Sequence, residues 1–131
     1  MRNAQSYAIL PLRIVLGIVF IVHGQAKLWN LEGTAGFFSN LGIPLPAVFA
    51  LAIGLLEFVG GIALLAGFVT RYAAGLLAIN MLAALLLVHL KNGFVVSAQA
   101  VGYEFVLTLL AASLTIALAG AGPLSLDRGM L

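Results

Sequence analysis

The chain has 131 residues, of which 63% are hydrophobic and only 8% are charged, and its formal net charge is +2. A soluble domain is roughly half apolar and about a quarter charged, so this composition indicates an integral membrane protein and offers no basic surface for nucleic acid. The chain has no cysteine, which excludes thiol–disulfide exchange, a cysteine-held iron–sulfur cluster and a thiolate nucleophile. Nothing resembles a soluble domain or a long linker, so residues 1–131 are predicted to form a single transmembrane domain.

Four apolar runs follow one another along the chain. They cover residues 9–29, 47–68, 72–90 and 99–119. At about 1.5 Å per residue, each run is close to the length that crosses the hydrocarbon core of a bilayer. None of them has the alternation of a barrel strand, and backbone in lipid must satisfy its own hydrogen bonds, so the runs are predicted to be helices. The predicted fold is an all-α integral membrane four-helix bundle in up-down-up-down order.

The connections between these runs differ in length and composition. Residues 30–46 contain glycine and proline but also large apolar side chains. This segment is predicted to be a loop that lies on the membrane surface as a short amphipathic piece or caps the bundle. The turn at residues 69–71 is very short, which makes the second and third helices antiparallel neighbours. The first run is longer than the core of a usual signal peptide and contains Arg13, so we expect a retained helix, with a cleaved signal as the alternative.

The basic residues divide between the two ends of these helices. Arg2, Arg13, Arg71 and Arg128 lie towards one end, and Lys27 and Lys91 lie towards the other. Cytoplasmic loops of membrane proteins are enriched in lysine and arginine. The arginine-rich end is therefore predicted to be cytoplasmic, together with both termini.

Four ionisable residues are candidates for catalysis. Glu57 lies at the centre of the second apolar run, where a charge costs several kcal/mol and usually faces a bundle interior or an aqueous cavity. Counted along the helices, His23 lies roughly 6 Å and Glu104 roughly 7 Å from the membrane midplane, towards the outer side. Lys27 follows His23 by four residues, so the two share a helix face. Side chains from three runs are thus predicted to meet in the outer half of the bundle.

Five further residues are candidates for binding a cofactor. Gly54, Gly60 and Gly61 remove side-chain bulk around the central carboxylate, which lets helices approach closely or leaves room for a flat ligand. Asn80, near the centre of the third run, could add a hydrogen bond. His89 lies roughly 12 Å from the midplane, near the interface.

Several of these residues also have structural interpretations. Glu57 could make an interhelical hydrogen bond without any chemistry. Glu104 could form an ion pair with Lys27 or Lys91. Arg13, inside the inner half of the first run, is predicted to pair with Asp127 from the tail as a structural contact.

Metal and haem sites are weaker alternatives. His23 and His89 could ligate haem between the first and third helices, but their depths differ and two histidines alone are a weak signal. A metal held by these histidines with Glu57 and Glu104 is chemically feasible. The sequence carries no phosphate loop, nucleophile triad or metal-binding repeat, and no metal is predicted.

The order of these residues along the chain resembles the DoxX family of small four-helix membrane proteins. The residues that carry the resemblance are Arg13-x-x-x-Gly17, His23-Gly24-x-x-Lys27, Glu57-x-x-Gly60-Gly61, Gly67-x-x-Thr70-Arg71, His89, Gly93-Phe94, Glu104-Phe105 and Gly120-x-Gly122-Pro123-x-Ser125-Leu126-Asp127. The resemblance implies a prokaryotic cytoplasmic (inner) membrane protein. Members of the family include the membrane subunit of a thiosulfate:quinone oxidoreductase and proteins associated with oxidative stress and thiol redox.

The leading hypothesis is a membrane-embedded component of a quinone-linked oxidoreductase that acts on sulfur compounds or in oxidative stress. His23 or Lys27 would hydrogen-bond a quinone carbonyl, Glu57 would exchange a proton, and Glu104 and His89 would link the site to water on the outer side. Electrons would come from a small donor or a protein partner, and the chain could form homo-oligomers. The alternatives are a non-enzymatic subunit, anchor or assembly factor for a redox partner, and a small-solute or proton-coupled transporter.

Overall fold

The computed structural model describes residues 4–129, which form helices, turns and loops without a β-strand, so the all-α prediction is confirmed for this part of the chain. Arg2, assigned above to the arginine-rich end, lies outside the described residues. The α-helices are α1 (Ala4–Tyr7), α2 (Ile9–Trp29), α3 (Leu31–Asn40), α4 (Pro46–Ala66), α5 (Thr70–Ala84), α6 (Glu104–Ala119) and α7 (Leu126–Gly129). Helix α5 continues through a π-helical turn, Leu85–His89, and a 3-10 turn, Leu90–Asn92.

Three helical segments are long and apolar enough to cross a membrane, and a fourth is shorter. The long segments are Ala4–Trp29, Pro46–Ala66 and Thr70–Asn92. Helix α6 has 16 residues and is roughly 24 Å long, less than the hydrocarbon thickness of about 30 Å. The fourth apolar run was predicted to become helical near residue 99, and that boundary is wrong by about one turn.

The late start of α6 has a local cause in the loop before it. The amides of Tyr103 and Glu104 donate to the carbonyls of Gly93 and Phe94, each at 2.9 Å. These hydrogen bonds fold residues 93–103 back on themselves, so the amides of Tyr103 and Glu104 are not available to bond to carbonyls at the start of the predicted run. An apolar composition therefore extends beyond the helix that it predicts.

Helix α3 lies in the segment that was predicted to be a loop. The Asn30 side chain accepts a hydrogen bond from the Gly33 amide at 3.1 Å, which caps the first turn of the helix. Phe38 is buried, and α3 packs against α4. The loop prediction was thus wrong for Leu31–Asn40, and the Asn30 cap is the sequence signal that indicates this helix.

Helices α2 and α4 approach each other closely and run antiparallel. A Cβ atom on Gly24 would lie 2.3 Å from the Phe58 amide nitrogen, and one on Gly61 would lie 2.7 Å from the Gly17 carbonyl oxygen. Residue numbers rise along α2 while those of its contacts fall along α4. Only glycine allows backbones this close. The buried core shared by the helices consists of Leu16, Phe20, Leu64, Ala73, Ala74, Leu77, Met81, Val106, Leu109 and Ile116.

The C-terminal tail closes the end of the bundle where α2 begins. Arg13 is 1% exposed, and its guanidinium donates to the carbonyls of Ala121, Pro123 and Leu124. Three carbonyls thus accept hydrogen bonds from the two terminal nitrogens of this buried cation, whereas its Nε has no partner among the described residues. This contact fixes the tail against the first long helix.

Asp127 does not form the direct pair with Arg13 that the sequence predicted. Its carboxylate accepts hydrogen bonds from the amides of Val69 (2.7 Å) and Thr70 (3.0 Å), where α5 begins. Burial raises the pKa of Asp127, but the hydrogen bonds from Thr70 and Val69, together with the charge of Arg13, hold that pKa below its usual value. Arg13 and Asp127 do not pair directly because the Arg13 guanidinium donates to tail carbonyls, whereas the Asp127 carboxylate accepts from amides at the start of a helix, which have no partner within that helix.

Candidate functional site

Three helices contribute one polar side chain each to a cluster around Glu57. Glu57 on α4 is 3% exposed. The Lys27 ammonium on α2 lies 2.7 Å from Glu57 Oε2, and the Asn80 amide on α5 donates to Glu57 Oε1 at 2.9 Å. We call these three residues the Glu57 cluster. Both carboxylate oxygens therefore have a side-chain donor inside the bundle.

The close contact between α2 and α4 places the lysine. A Cβ atom on Gly54 would lie 2.9 Å from a Leu28 methyl group and 3.5 Å from Lys27 Cβ. Lys27 Cβ thus lies beside Gly54, about one helical turn from Glu57, and the flexible aliphatic side chain of Lys27 spans that distance. A larger residue at position 54 would push α2 away from α4 and increase the distance between the Lys27 ammonium and the Glu57 carboxylate.

The cluster is closed on the carboxylate side and open on the lysine side. The Lys27 side chain is 27% exposed, in contrast to 3% for Glu57. An ammonium group has further N–H donors beyond the one that Glu57 accepts. The cluster can therefore offer a hydrogen-bond donor to a ligand while Glu57 stays shielded from the surroundings.

His23 lies on the same face of α2 but does not contact Glu57. Its Nδ1 donates to the Val19 carbonyl at 2.8 Å, and its ring centroid lies 5.8 Å from that of Phe105 on α6. The side chain is exposed. The structure thus places the His23 imidazole one helical turn from Lys27 and beside the Phe105 ring.

Glu104 and His89 are both attached to the loop of residues 93–103. Glu104 Oε1 accepts from the Val96 amide at 3.2 Å, and His89 Nδ1 donates to the Val101 carbonyl at 3.2 Å. Neither hydrogen-bonds to the Glu57 cluster, so the structure brings Lys27 and Asn80 to Glu57 but not these two. Their roles in chemistry remain predictions.

Comparison with known proteins identifies the family. The family model described as DoxX matches residues 8–90. The chain belongs to the DoxX family. The matched range contains all three members of the Glu57 cluster and ends before Glu104. No solved structure matches the chain significantly.

Bacterial relatives extend over nearly the whole DoxX chain. A protein named "Putative oxidoreductase CatD" from Bacillus subtilis (strain 168) is 36% identical over 127 residues, which cover 97% of this chain and 90% of that protein. Inner membrane protein YqjF from Escherichia coli (strain K12) is 33% identical over 131 residues, covering 98% and 95%. Inner membrane protein YphA from the same organism is 28% identical over 128 residues, covering 95% and 91%. The apolar helices of the chain and its similarity to these membrane proteins together show that it is a membrane protein.

The glycines of this DoxX protein lie where helices meet. Positions beside Gly54 and Gly61 are filled by Leu28 and by the backbone and side chain of Ile21. A Cβ on Gly60 would lie 3.3 Å from Leu77, yet Gly60 also lines an open cleft between α4 and α5. A flat ligand has no space beside Gly54 or Gly61 with the helices in this arrangement, and the cofactor-binding role of all three glycines remains a prediction.

The four residues considered for a metal are not gathered at one point. In residues 4–129, no three side chains of histidine, aspartate or glutamate lie close enough to share a metal ion. Phe105, whose ring lies beside that of His23, was quoted only as part of the family resemblance and not as a candidate site residue, because a phenylalanine in an apolar helix carries no signal of its own. The sequence predicted that Lys27 and Glu57 belong to one site, but it did not predict that they form an ion pair.

Proposed function

We propose that this DoxX protein is a membrane-embedded component of a quinone-linked oxidoreductase in the bacterial inner membrane. The observation that carries the proposal is Glu57, a carboxylate 3% exposed and held by Lys27 and Asn80 at the middle of an apolar helix. Ionisable groups at such depth are rare and are usually functional. Further support comes from the relative CatD, whose name describes an oxidoreductase.

The residues around the Glu57 cluster fit a quinone headgroup on one side. A quinone presents carbonyl oxygens, which need donors, and a flat apolar ring. The partly exposed Lys27 ammonium has further N–H donors beyond the one that Glu57 accepts. His23 lies one helical turn from Lys27 on α2, and its ring lies next to that of Phe105. Because helices fill the space at Gly54 and Gly61, we place the headgroup on the His23–Lys27 face of α2.

Each residue of the cluster then has a defined task. When bound, a quinone supplies the redox chemistry, since it takes up an electron pair together with protons. Lys27 would orient the headgroup by donating to a carbonyl oxygen, and Glu57 would accept a proton from the site or supply one to it through Lys27. Asn80 would keep the carboxylate in one rotamer through Oε1. The chain has no nucleotide-binding motif, so electrons would come from a small donor or a partner protein.

The test is the amount of quinone that stays with the protein after purification in mild detergent, measured by extraction and mass spectrometry. Wild-type protein should retain quinone, and Lys27→Gln should retain at least fivefold less because the headgroup loses its charged donor. Lys91→Gln is the matched control, since Lys91 is exposed and outside the cluster. Equal retention by wild type and Lys27→Gln would refute this site.

Proton transfer is tested separately with Glu57→Gln, which keeps the shape of the side chain. Reduction of a soluble quinone analogue by membranes that contain the protein should fall by a factor of about 100 or more. Glu32→Gln on α3 is the control, because this carboxylate is exposed. A Glu57→Gln variant that assembles normally and reduces quinone at the wild-type rate would rule out the proton role.

A second candidate is a non-enzymatic subunit or anchor for a redox partner. One observation favours it: the side chains of the Glu57 cluster satisfy one another without any ligand. Such a cluster would serve to fix the packing of three helices. A protein that purifies without quinone but always with the same partner would support this candidate over the first.

A further inference from the structure

Two adjoining hollows meet where α5 begins. The apolar cleft, of about 450 Å³, runs between the two helices and is lined by residues such as Leu55, Val59, Ala63 and Leu76. The arginine pocket, of about 520 Å³, lies at the end of the bundle and is lined by Arg71, Asp127 and Arg128 among others. Val69 and Tyr72 line both hollows. The two hollows therefore lie next to each other, one apolar and one charged.

The charges in the arginine pocket favour an anion. Two arginines, Arg71 and Arg128, line the pocket together with one carboxylate, Asp127, whose oxygens accept hydrogen bonds from the amides of Val69 and Thr70. Arg71 is held in place because its guanidinium donates to the carbonyls at the end of α6, residues 117–119. Arg128 is exposed. Two guanidinium groups in the lining of one pocket suit a phosphate group, which accepts several hydrogen bonds at once.

The location of the pocket fits a lipid headgroup. Helix α4 ends at Ala66 and α5 begins at Thr70, so the pocket lies where two membrane-crossing segments leave the hydrocarbon. Tyr72 is 79% exposed, as is typical of aromatic residues at the membrane interface. From this level, the apolar cleft continues along α4 and α5 towards the centre of the membrane.

We propose that the cleft and the pocket together form a binding site for one anionic phospholipid. Its phosphate would lie between Arg71 and Arg128, and one acyl chain would occupy the apolar cleft. Lys27, Glu57 and Asn80 are absent from both linings. The lipid site is thus separate from the Glu57 cluster, and its tests do not depend on the redox proposal.

The charge of the pocket is tested by native mass spectrometry of the full chain in micelles with equal amounts of phosphatidylglycerol and phosphatidylcholine. Wild type should retain phosphatidylglycerol in preference. Arg128→Gln should lower that preference about fivefold, the effect of one basic residue near an anionic headgroup. Lys91→Gln removes an exposed charge at the other end of α5 and should leave the preference unchanged. An unchanged preference in Arg128→Gln would overturn the proposal.

The cleft is tested with Ala52→Phe, which places a ring into it from an exposed position on its rim. Retention of phosphatidylglycerol should fall at least threefold. Ala47→Phe is the matched control, because Ala47 is exposed on the same helix but does not line the cleft. Unchanged retention in Ala52→Phe would show that no acyl chain occupies the cleft.

A competition experiment distinguishes a lipid site from a simple phosphate site. Excess glycerol phosphate, which carries the headgroup chemistry without acyl chains, should not displace phosphatidylglycerol. Displacement by this soluble compound would reduce the site to a phosphate pocket and refute the two-part arrangement. Preferential retention of phosphatidylcholine or of quinone would contradict the assignment of an anionic lipid.

Discussion

Glu57 and Lys27 are mutually dependent because neither charge is fully solvated. Replacing Lys27 by Met would leave a carboxylate that is 3% exposed with Asn80 as its remaining side-chain donor. Removing one partner of a buried pair is costly because the other charge stays behind, so we expect a loss of about 3 kcal/mol in the free energy of unfolding. Titration of the unfolding transition with sodium dodecyl sulfate in detergent micelles measures this loss.

A double-mutant cycle separates the ion pair from packing. Lys27→Met combined with Glu57→Leu removes both charges, so the double variant should be more stable than the sum of the single losses predicts, by about 1–3 kcal/mol. Lys91→Met provides the control and should stay within about 0.5 kcal/mol of wild type. Additive losses would mean that the 2.7 Å contact contributes nothing to stability.

At the level of single residues, the sequence predicted which side chains are unusual but not which ones touch. Glu57 is conspicuous because an apolar helix surrounds it. The lysine partner depends on the register between α2 and α4, which Gly17, Gly24 and Gly61 set through backbone contacts. His23 shares the face of Lys27, yet its Nδ1 is taken by the carbonyl of the preceding turn. The spacing of residues along one helix reveals neither the pairing of Lys27 with Glu57 nor the hydrogen bond of His23 to its own helix.

At the level of elements, the contact between α2 and α4 rests on individual glycines. A Cβ at position 24 would lie 2.3 Å from the Phe58 amide nitrogen, a backbone atom that cannot rotate away. Gly24→Ala should therefore separate the helices and lower the free energy of unfolding by about 1–3 kcal/mol. The same detergent titration measures it.

Gly75 offers the matched control for this prediction. It lies within α5, and a Cβ there would meet nothing within 4 Å. Gly75→Ala should be neutral or should stabilise the protein by up to about 1 kcal/mol, because alanine favours a helix. If both variants behave alike, the close approach of α2 and α4 is not what position 24 contributes.

Helix boundaries were predictable only where composition and backbone change together. The bounds of α2, Ile9–Trp29, agree with the first apolar run. Helix α3 was missed because its glycines and polar residues outweighed the Asn30 cap, and α6 was placed too early because Ala100, Val101 and Tyr103 are apolar without being helical. Hydropathy measures solubility in lipid, whereas a helix also requires free backbone donors and acceptors.

At the scale of the whole molecule, the structure brings both described ends of the chain to one end of the bundle. Arg13, near the start of α2, holds the carbonyls of Ala121 and Leu124. The loop of residues 93–103 contacts His89 at the far end of α5. Arginines at the tail end favour a cytoplasmic location for it, and the proposed lipid site would then lie in the cytoplasmic leaflet.

This orientation can be measured directly, because the chain has no cysteine and any label must report an introduced one. Gln99→Cys places a thiol in the exposed far loop, and Leu126→Cys places one on the exposed tail. In intact cells, a membrane-impermeant maleimide should label Gln99→Cys, whereas Leu126→Cys should react only after permeabilisation. The unsubstituted chain gives the background. The reverse pattern would place the arginine pocket and both termini outside the cytoplasm, and labelling of both variants in intact cells would contradict a membrane-crossing α6, which lies between the two labelled positions.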